Sequence, residues 1–387
     1  MREDTRIVNA GRKPEENFGI VNPPIYRAST VTFPSVEALE RFDKHPFEGV
    51  FYGRHGTPTT FALEEAVAEI EGGDRAIAMA SGLAAIAASL LAFLKAGDHV
   101  LVTDSVYGPT RHFCDMLLKR YGVETTYYDP GIGASIKNFL KPNTKVVFVE
   151  SPGSLTFEVQ DIPAIARAAH EKGAVVILDN SWATPLYFKP FAHGVDVSIQ
   201  AATKYIVGHA DAMLGVITVS KEHYATIRQT TANLGACSGP EECFLALRGL
   251  RTLRVRLDRH RETALKLCAW LQERPEVARI LYPALAGDPG HAIWQRDFTG
   301  APGLFSFALK EFPKKAIAAM LDHMKLFAMG YSWGGYESLI LPIHPEKIRT
   351  ATTWKAGPTL RIHAGLEDPD DLIQDLNEGF KRMNAAR

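Results

Sequence analysis

Lys204 and Asp179 are the two residues of this sequence whose types and placement most readily do chemistry together. Lys204 lies in the stretch Asp196-Val-Ser-Ile-Gln-Ala-Ala-Thr-Lys204-Tyr-Ile-Val-Gly-His209, where an alternating apolar segment reaches a lone lysine preceded by Thr203 and followed by a glycine turn. That pattern reads as a strand ending where a side chain must project. An exposed lysine at a strand end would explain this segment equally well. Upstream, Ala174-Val-Val-Ile-Leu178 is a continuous apolar run closed by Asp179, the pattern of a buried parallel strand with a carboxylate at its carboxyl end.

Parallel α/β sheets bind ligands at that edge. A strand-end lysine beside a strand-end aspartate suits pyridoxal 5'-phosphate (PLP), with the lysine amine forming a Schiff base and the aspartate keeping the pyridine nitrogen protonated.

The whole chain limits the alternatives. Its 387 residues are enough for a large core and two or three domains. Lys plus Arg is 43 against 44 Asp plus Glu, so no strong field points to nucleic acid or an anionic membrane, and a small molecule is the expected partner. Cys114, Cys237, Cys243 and Cys268 lack metal-binding spacing and read as buried thiols in a reducing compartment, with no metal site expected. The amino terminus has no secretory pattern, and the longest apolar stretch, 83–94, is too short to span a bilayer. A cytoplasmic protein is expected.

The elements that must position Lys204 and Asp179 follow from the periodicity. The first sixty residues read as an arm around Asn22-Pro-Pro-Ile-Tyr26, with a short helical pattern from Ser35 and enough aromatic residues to require docking on a large surface. Helical spacing over 61–70 leads to a strand at 76–80, then Ser81-Gly82 and a helix over 83–94. Strand, Ser-Gly, helix is a turn whose first N–H groups can face a phosphate, although many such turns hold glycine for geometry alone. Strands are expected at 99–103, 125–128, 145–149 and 215–220, with helices at 110–120 and 162–172, so strand and helix alternate and the sheet is mostly parallel. A polar loop over 235–241 precedes one long helix from about Arg248 to Glu273, whose arginines read as a solvated or interface face. From about Val277 short strands (280–282, 304–309, 360–363) and helices (315–322, 368–383) suit a smaller α+β domain. The resulting division is an arm at 1–60, a large α/β domain at 61–250, and a connecting helix with a C-terminal domain at 251–387.

The segments Leu178-Asp-Asn-Ser-Trp-Ala183 and Ser198-Ile-Gln-Ala-Ala-Thr-Lys-Tyr-Ile-Val-Gly-His209 resemble those of the Cys/Met-metabolism PLP enzymes over nearly the whole chain. The resemblance implies fold type I of the PLP-dependent transferases, with a mostly parallel sheet between helices in the large domain and a smaller α+β domain after it. It implies a cofactor site made of Lys204, Asp179, Tyr107 stacked on the ring, the Ser81-Gly82-Leu83 turn, and Thr203 with its hydroxyl on the phosphate. Tyr52 and Arg54, in Phe51-Tyr-Gly-Arg-His-Gly-Thr-Pro-Thr59, are implied to reach the phosphate of a neighbouring subunit, which means dimers with shared sites that pair into a homotetramer. Arg361 is implied to hold the substrate α-carboxylate, with Ser332 and Trp333 of Tyr331-Ser-Trp-Gly-Gly-Tyr336 beside it. Read without the family, Arg54 is a turn arginine, Tyr107 a loop aromatic and Arg361 a salt-bridged structural residue.

The same resemblance sets the expected chemistry. Lys204 acts as the base at Cα and returns a proton to the leaving sulfur, with Tyr107 and Tyr52 nearby, in a carbon–sulfur β-elimination on cystathionine within methionine biosynthesis. Trp333 is similar to the β-lyase branch, whereas the γ-branch more often has a small aliphatic residue there. The alternatives are γ-lyase or γ-synthase activity in the same family and, from another class, a PLP-binding regulatory protein without turnover. Two departures stand out: Ala201 replaces a common serine, and Phe244 replaces a tyrosine of the related β-lyase.

Overall fold

A computed structural model describes residues 1–44 and 47–387. Seven strands form the first sheet: β1 (Arg75–Met79), β2 (His99–Thr103), β3 (Glu124–Tyr128), β4 (Thr144–Glu150), β5 (Val175–Asp179), β6 (Val197–Gln200) and β7 (Gly215–Val219). Their order is β1-β7-β6-β5-β4-β2-β3. The strands β2 to β6 run parallel to one another, and β7 runs antiparallel to both β1 and β6.

Alternation divides these strands between two cores. Val100, Val102, Phe148, Ile177, Val197 and Ile199 pack with the helix Gly82–Phe93, while Leu101, Val147, Val149, Val176 and Leu178 belong to the core on the other face. Both faces are covered, which is why the strands read as continuous apolar runs. That second core continues into a four-stranded antiparallel sheet of β8 (Val277–Leu281), β9 (Leu304–Leu309), β10 (Leu339–Ile343) and β11 (Thr359–His363), in the order β10-β11-β9-β8. The closing helix Pro369–Ala385 buries Leu372, Leu376, Phe380 and Met383 along one face. Trp182 Nε1 donates to the Leu304 carbonyl at 3.0 Å and joins the two units.

Several expectations are corrected. The long helix from Arg248 is two helices, Pro240–Arg251 and Leu253–Gln272, broken at Thr252. Gly249 lies against the turn after Lys204 so closely that a Cβ there would sit 2.1 Å from the Ile206 carbonyl oxygen, so the first helix is held by a packing constraint that periodicity does not reveal. The arginines form a solvated face only in part: Arg248 and Arg261 are exposed, but others turn onto the protein. Arg256 is buried and donates to the carbonyls of Gly249 (2.8 Å) and Ile206 (3.4 Å), Arg251 donates to those of Ile7 and Ala10, and Arg254 pairs with Glu3 and Asp4.

The helix expected at 110–120 begins at Gly108 and becomes π-helical over Phe113–Leu118. Helices at Glu3–Asn9, Tyr224–Asn233 and His291–Asp297 were not expected, and neither was β10, whose Pro342 reads as a breaker. An edge strand tolerates proline because its outer N–H groups need no partner, and β10 is at the edge. Cys114, Cys243 and Cys268 are buried as expected, but Cys237 is exposed in the loop before Pro240.

Candidate active site

The site forms where the carboxyl ends of β2, β4, β5 and β6 meet the small sheet. Asp179 is the last residue of β5 and Glu150 the last of β4, and the two are register partners. Lys204 is not at a strand end. β6 stops at Gln200, and a turn closed by the Lys204 N–H to the Ala201 carbonyl (3.0 Å) presents the lysine four residues later. Tyr107 likewise follows β2 by four residues.

Lys204 Nζ lies 2.6 Å from the Ser332 hydroxyl and 5.2 Å from the centre of the Trp333 ring. Burial, followed by the nearby Arg361 guanidinium, lowers its ammonium to about 8 against the opposing pull of Asp179. At that value about a tenth of the amine is neutral and nucleophilic at pH 7, far more than for an ordinary lysine. Asp179 is 9% exposed, and its Oδ1 accepts the Ser181 N–H at 3.0 Å. Burial raises this carboxyl despite Ser181 and Lys204. A buried carboxylate short of cationic partners is suited to a protonated pyridine nitrogen.

Tyr107 donates its backbone N–H to Glu150 Oε2 at 2.7 Å. Its phenol is pushed up by burial and by Asp179 and Glu150, with Arg361 opposing. Glu150 is itself raised well above the usual carboxylate range by burial and by Asp179. Arg361, on β11, donates to the Ser332 carbonyl at 2.9 Å, and burial lowers its guanidinium to about 10.

The Ser81-Gly82-Leu83 helix start is built from close backbone approach. Ser81 caps the helix Gly82–Phe93 by accepting the Ala84 N–H at 3.1 Å, which leaves the N–H groups of Gly82 and Leu83 without an acceptor among the described residues. A Cβ on Gly82 would lie 2.7 Å from that of Ala201, and one on Gly215 would lie 2.2 Å from the Ser81 carbonyl oxygen. Ala201, the departure from the usual serine, is thus the residue that packs against the turn. The Thr203 hydroxyl donates to the Leu214 carbonyl at 3.1 Å and accepts the Leu214 N–H at 2.8 Å, so its proton is committed to the residue just before β7.

The structure therefore brings Lys204, Asp179, Tyr107, Arg361, Ser332 and Trp333 together, with Ser81, Gly82 and Leu83 alongside Ala201. Tyr52 and Arg54 stand apart. Arg54 donates to the Ala232 carbonyl at 2.9 Å, Tyr52 is 43% exposed, and no hydrogen bond or ring contact joins either to Lys204, Asp179 or Tyr107 among the described residues.

Sequence reading missed four supports of this group. Glu150 closes an apolar run as Asp179 does, and that signal could have found it. Ser181 accepts the Ala201 N–H at 2.7 Å, so one residue holds both strand ends. Gly334, at φ +88°, lies against Lys204 so tightly that a Cβ would be 2.8 Å from the Tyr205 nitrogen and 2.9 Å from the Lys204 carbonyl carbon. His363 Nε2–H donates to the Gly335 carbonyl at 3.0 Å and pins the same loop to β11.

A buried lysine with a depressed ammonium, a buried carboxylate at the next strand end, an aromatic platform and a glycine-bearing helix start fit PLP, and the sheet order places them as in fold type I PLP enzymes. The model of the Cys/Met metabolism PLP-dependent enzyme family matches residues 4–381, and the chain belongs to that family. It is 49% identical to a putative cystathionine beta-lyase of Rhizobium johnstonii, covering 99% of this chain and 97% of that one. It is 47% identical to the cystathionine beta-lyase MetC of Escherichia coli, with 98% of each covered. Among solved structures, metB of Corynebacterium glutamicum superposes with a TM-score of 0.90 at 31% identity, covering 98% of each chain.

Proposed function

We propose that this enzyme is a carbon–sulfur β-lyase that cleaves cystathionine to homocysteine, pyruvate and ammonia, in methionine biosynthesis. The observation that carries the reading is the lysine amine held between the Ser332 hydroxyl and the Trp333 ring, on the loop whose sequence is similar to the β-lyase branch. PLP, when bound, supplies the electron sink for a carbanion at Cα.

Each residue then has a task. Lys204 holds the cofactor, takes the proton from Cα on its Nζ and returns one to the departing sulfur. Asp179 keeps the pyridine nitrogen charged. Tyr107 covers the ring, Ser81, Gly82 and Leu83 receive the phosphate with Thr203 beside them, and Arg361 fixes the α-carboxylate through its planar pair of donors. Ser332 orients the Lys204 amine while it is free, and Trp333 walls the leaving-group side.

In this reading Tyr52 and Arg54 serve the phosphate and Cα region of a second copy, so the enzyme is a dimer with shared sites, paired into a homotetramer. Exposed Ile20, Val21, Ile25, Tyr26 and Tyr52 on the arm support a covering subunit. The division at 60 and 250 goes with it, supported at the second boundary by the break at Thr252. A cytoplasmic setting is supported by the three buried free thiols. No helix among the described residues is long and apolar enough to cross a membrane.

The test is product analysis with cystathionine as substrate. Pyruvate and homocysteine are the expected products. Predominant 2-oxobutyrate and cysteine would make the γ-lyase reading correct, and stoichiometric PLP without turnover of any thioether amino acid would favour the regulatory one.

A further inference from the structure

Asp104 directly follows β2 and is 1% exposed, three residues before Tyr107. Arg111 Nη2 donates to its Oδ1 at 2.6 Å, so one ion pair closes the base of the turn that presents Tyr107. The rest of the carboxylate is taken up by the other unit. The N–H of Thr350 donates to Oδ1 at 3.0 Å, those of Ala351 and Thr352 to Oδ2 at 3.1 and 2.7 Å, and the Thr352 hydroxyl to Oδ2 at 2.6 Å.

Three consecutive backbone N–H groups around one carboxylate make an anion-holding nest. Burial works against ionisation of Asp104, but these hydrogen bonds outweigh it and keep its carboxyl below the usual range. Arg111 also reaches the Thr350 hydroxyl at 3.2 Å.

The segment so held, 344–358, connects β10 to β11, the strand that carries Arg361. Its other anchor is Arg349, which pairs with Glu158 at 2.8 Å and bonds the Thr156 hydroxyl just past β4. The segment is therefore tied to the large sheet at the edge where the site lies. Tyr107 is held from its other side by Glu150.

We propose that Asp104 is a positioning residue for substrate recognition. By clamping Arg111 and the Thr350 to Thr352 amides onto one carboxylate, it sets the Tyr107 turn of the large unit against the strand that brings Arg361 from the small one. The proposal rests on the reading that Tyr107 and Arg361 border the substrate. A plain interface staple would lower melting temperature and leave kinetics unchanged. A positioning clamp must instead weaken recognition of the amino-acid carboxylate while cofactor content stays intact.

The test uses the holoenzyme and the variants Asp104→Asn, Thr352→Val and Thr352→Ser. Hydrogen exchange of peptides covering 344–358 should quicken about tenfold or more in Asp104→Asn, with β2 and β11 unchanged. KM for cystathionine should rise about tenfold while kcat falls less than about threefold, at unchanged PLP absorbance. Thr352→Val should show the same split at about threefold in KM, and Thr352→Ser, which keeps the hydroxyl, should match wild type. If Asp104→Asn does not fold, the two Thr352 variants decide. Faster exchange with unchanged KM would reduce the clamp to a staple, and unchanged exchange would show that the carboxylate does not hold the loop. A wild-type enzyme inactive on cystathionine would defeat the functional reading, and the exchange comparison would still decide the clamp.

Discussion

The wall around Lys204, drawn from both sheets, and the N-terminal arm differ in where their side chains go: those of the wall converge on one another, whereas Tyr52 and Arg54 of the arm lie apart from them. Lys204, Asp179, Tyr107 and Arg361 lie close enough that each alters the protonation of at least one other. Arg54 instead spends a donor on the Ala232 carbonyl, and Arg27, also in the arm, pairs with Glu241. The arm is held to its own subunit near the helix that starts at Pro240, while its Tyr52 remains exposed. The difference is one of support. Strand ends and the turns that follow them have their places fixed by the sheets, whereas the arm, with no sheet of its own, is placed by side-chain bonds such as those of Arg54 to Ala232 and of Arg251 to Ile7 and Ala10.

The strongest way to break this comparison is at the wall itself. Lys204→Ala should lose the PLP absorbance and at least about four orders of magnitude in turnover, because no other amine is placed to replace it. Borohydride reduction of the holoenzyme followed by peptide mapping should tag Lys204, and a tag on another lysine would overturn the assignment.

Mixing experiments test the arm. Arg54→Ala and Lys204→Ala should each be nearly inactive, but co-refolded in equal amounts they should recover about a quarter of wild-type activity, since about half of the dimers are mixed and each of those has one intact site. Activity no higher than the mean of the parents, with subunit exchange confirmed by differential tags, would place Arg54 in its own chain's site.

A smaller effect is expected where the loop meets the wall. Gly334→Ala places a side chain at φ +88° against Lys204, and the backbone conformation alone costs about 1–3 kcal/mol. Thermal unfolding should fall accordingly, and the change should also slow PLP reloading of the apoenzyme, whereas the same substitution at exposed Gly97 should alter stability but not reloading.

The smallest effect is a shift in pH dependence. With its ammonium lowered to about 8 from the ordinary lysine value of 10.5, about half of Lys204 is neutral at pH 8, against roughly one lysine in 300 at the ordinary value. The rate of PLP capture by apoenzyme should therefore rise with pH to a midpoint near 8. Arg361→Ala removes a positive neighbour that depresses this value, so the midpoint should move upward, and a downward or absent shift would show that Arg361 does not act on Lys204.

The sequence by itself determined the large sheet and the residues at its edge. Apolar runs such as Val175–Asp179 and His99–Thr103 mark buried parallel strands, and a charge that closes such a run has one place to go. That logic reached Asp179, and applied again it would have reached Glu150, whereas Lys204 lies in a turn four residues past the end of β6. Only the tertiary structure decided the rest. Thr252 breaks a pattern that reads as one helix, and the close approach of Gly249 to the Ile206 carbonyl is not recorded in that pattern. Proline conceals β10, which its edge position permits. Ser181, Gly334, His363 and Asp104 act through backbone groups far away in sequence, and no local periodicity records which distant N–H or carbonyl a side chain will meet. The arm lies at the far end of this range: its sequence supplies aromatic and guanidinium side chains, and only the fold shows that Arg54 meets the Ala232 carbonyl and Arg27 meets Glu241 while Tyr52 stays exposed.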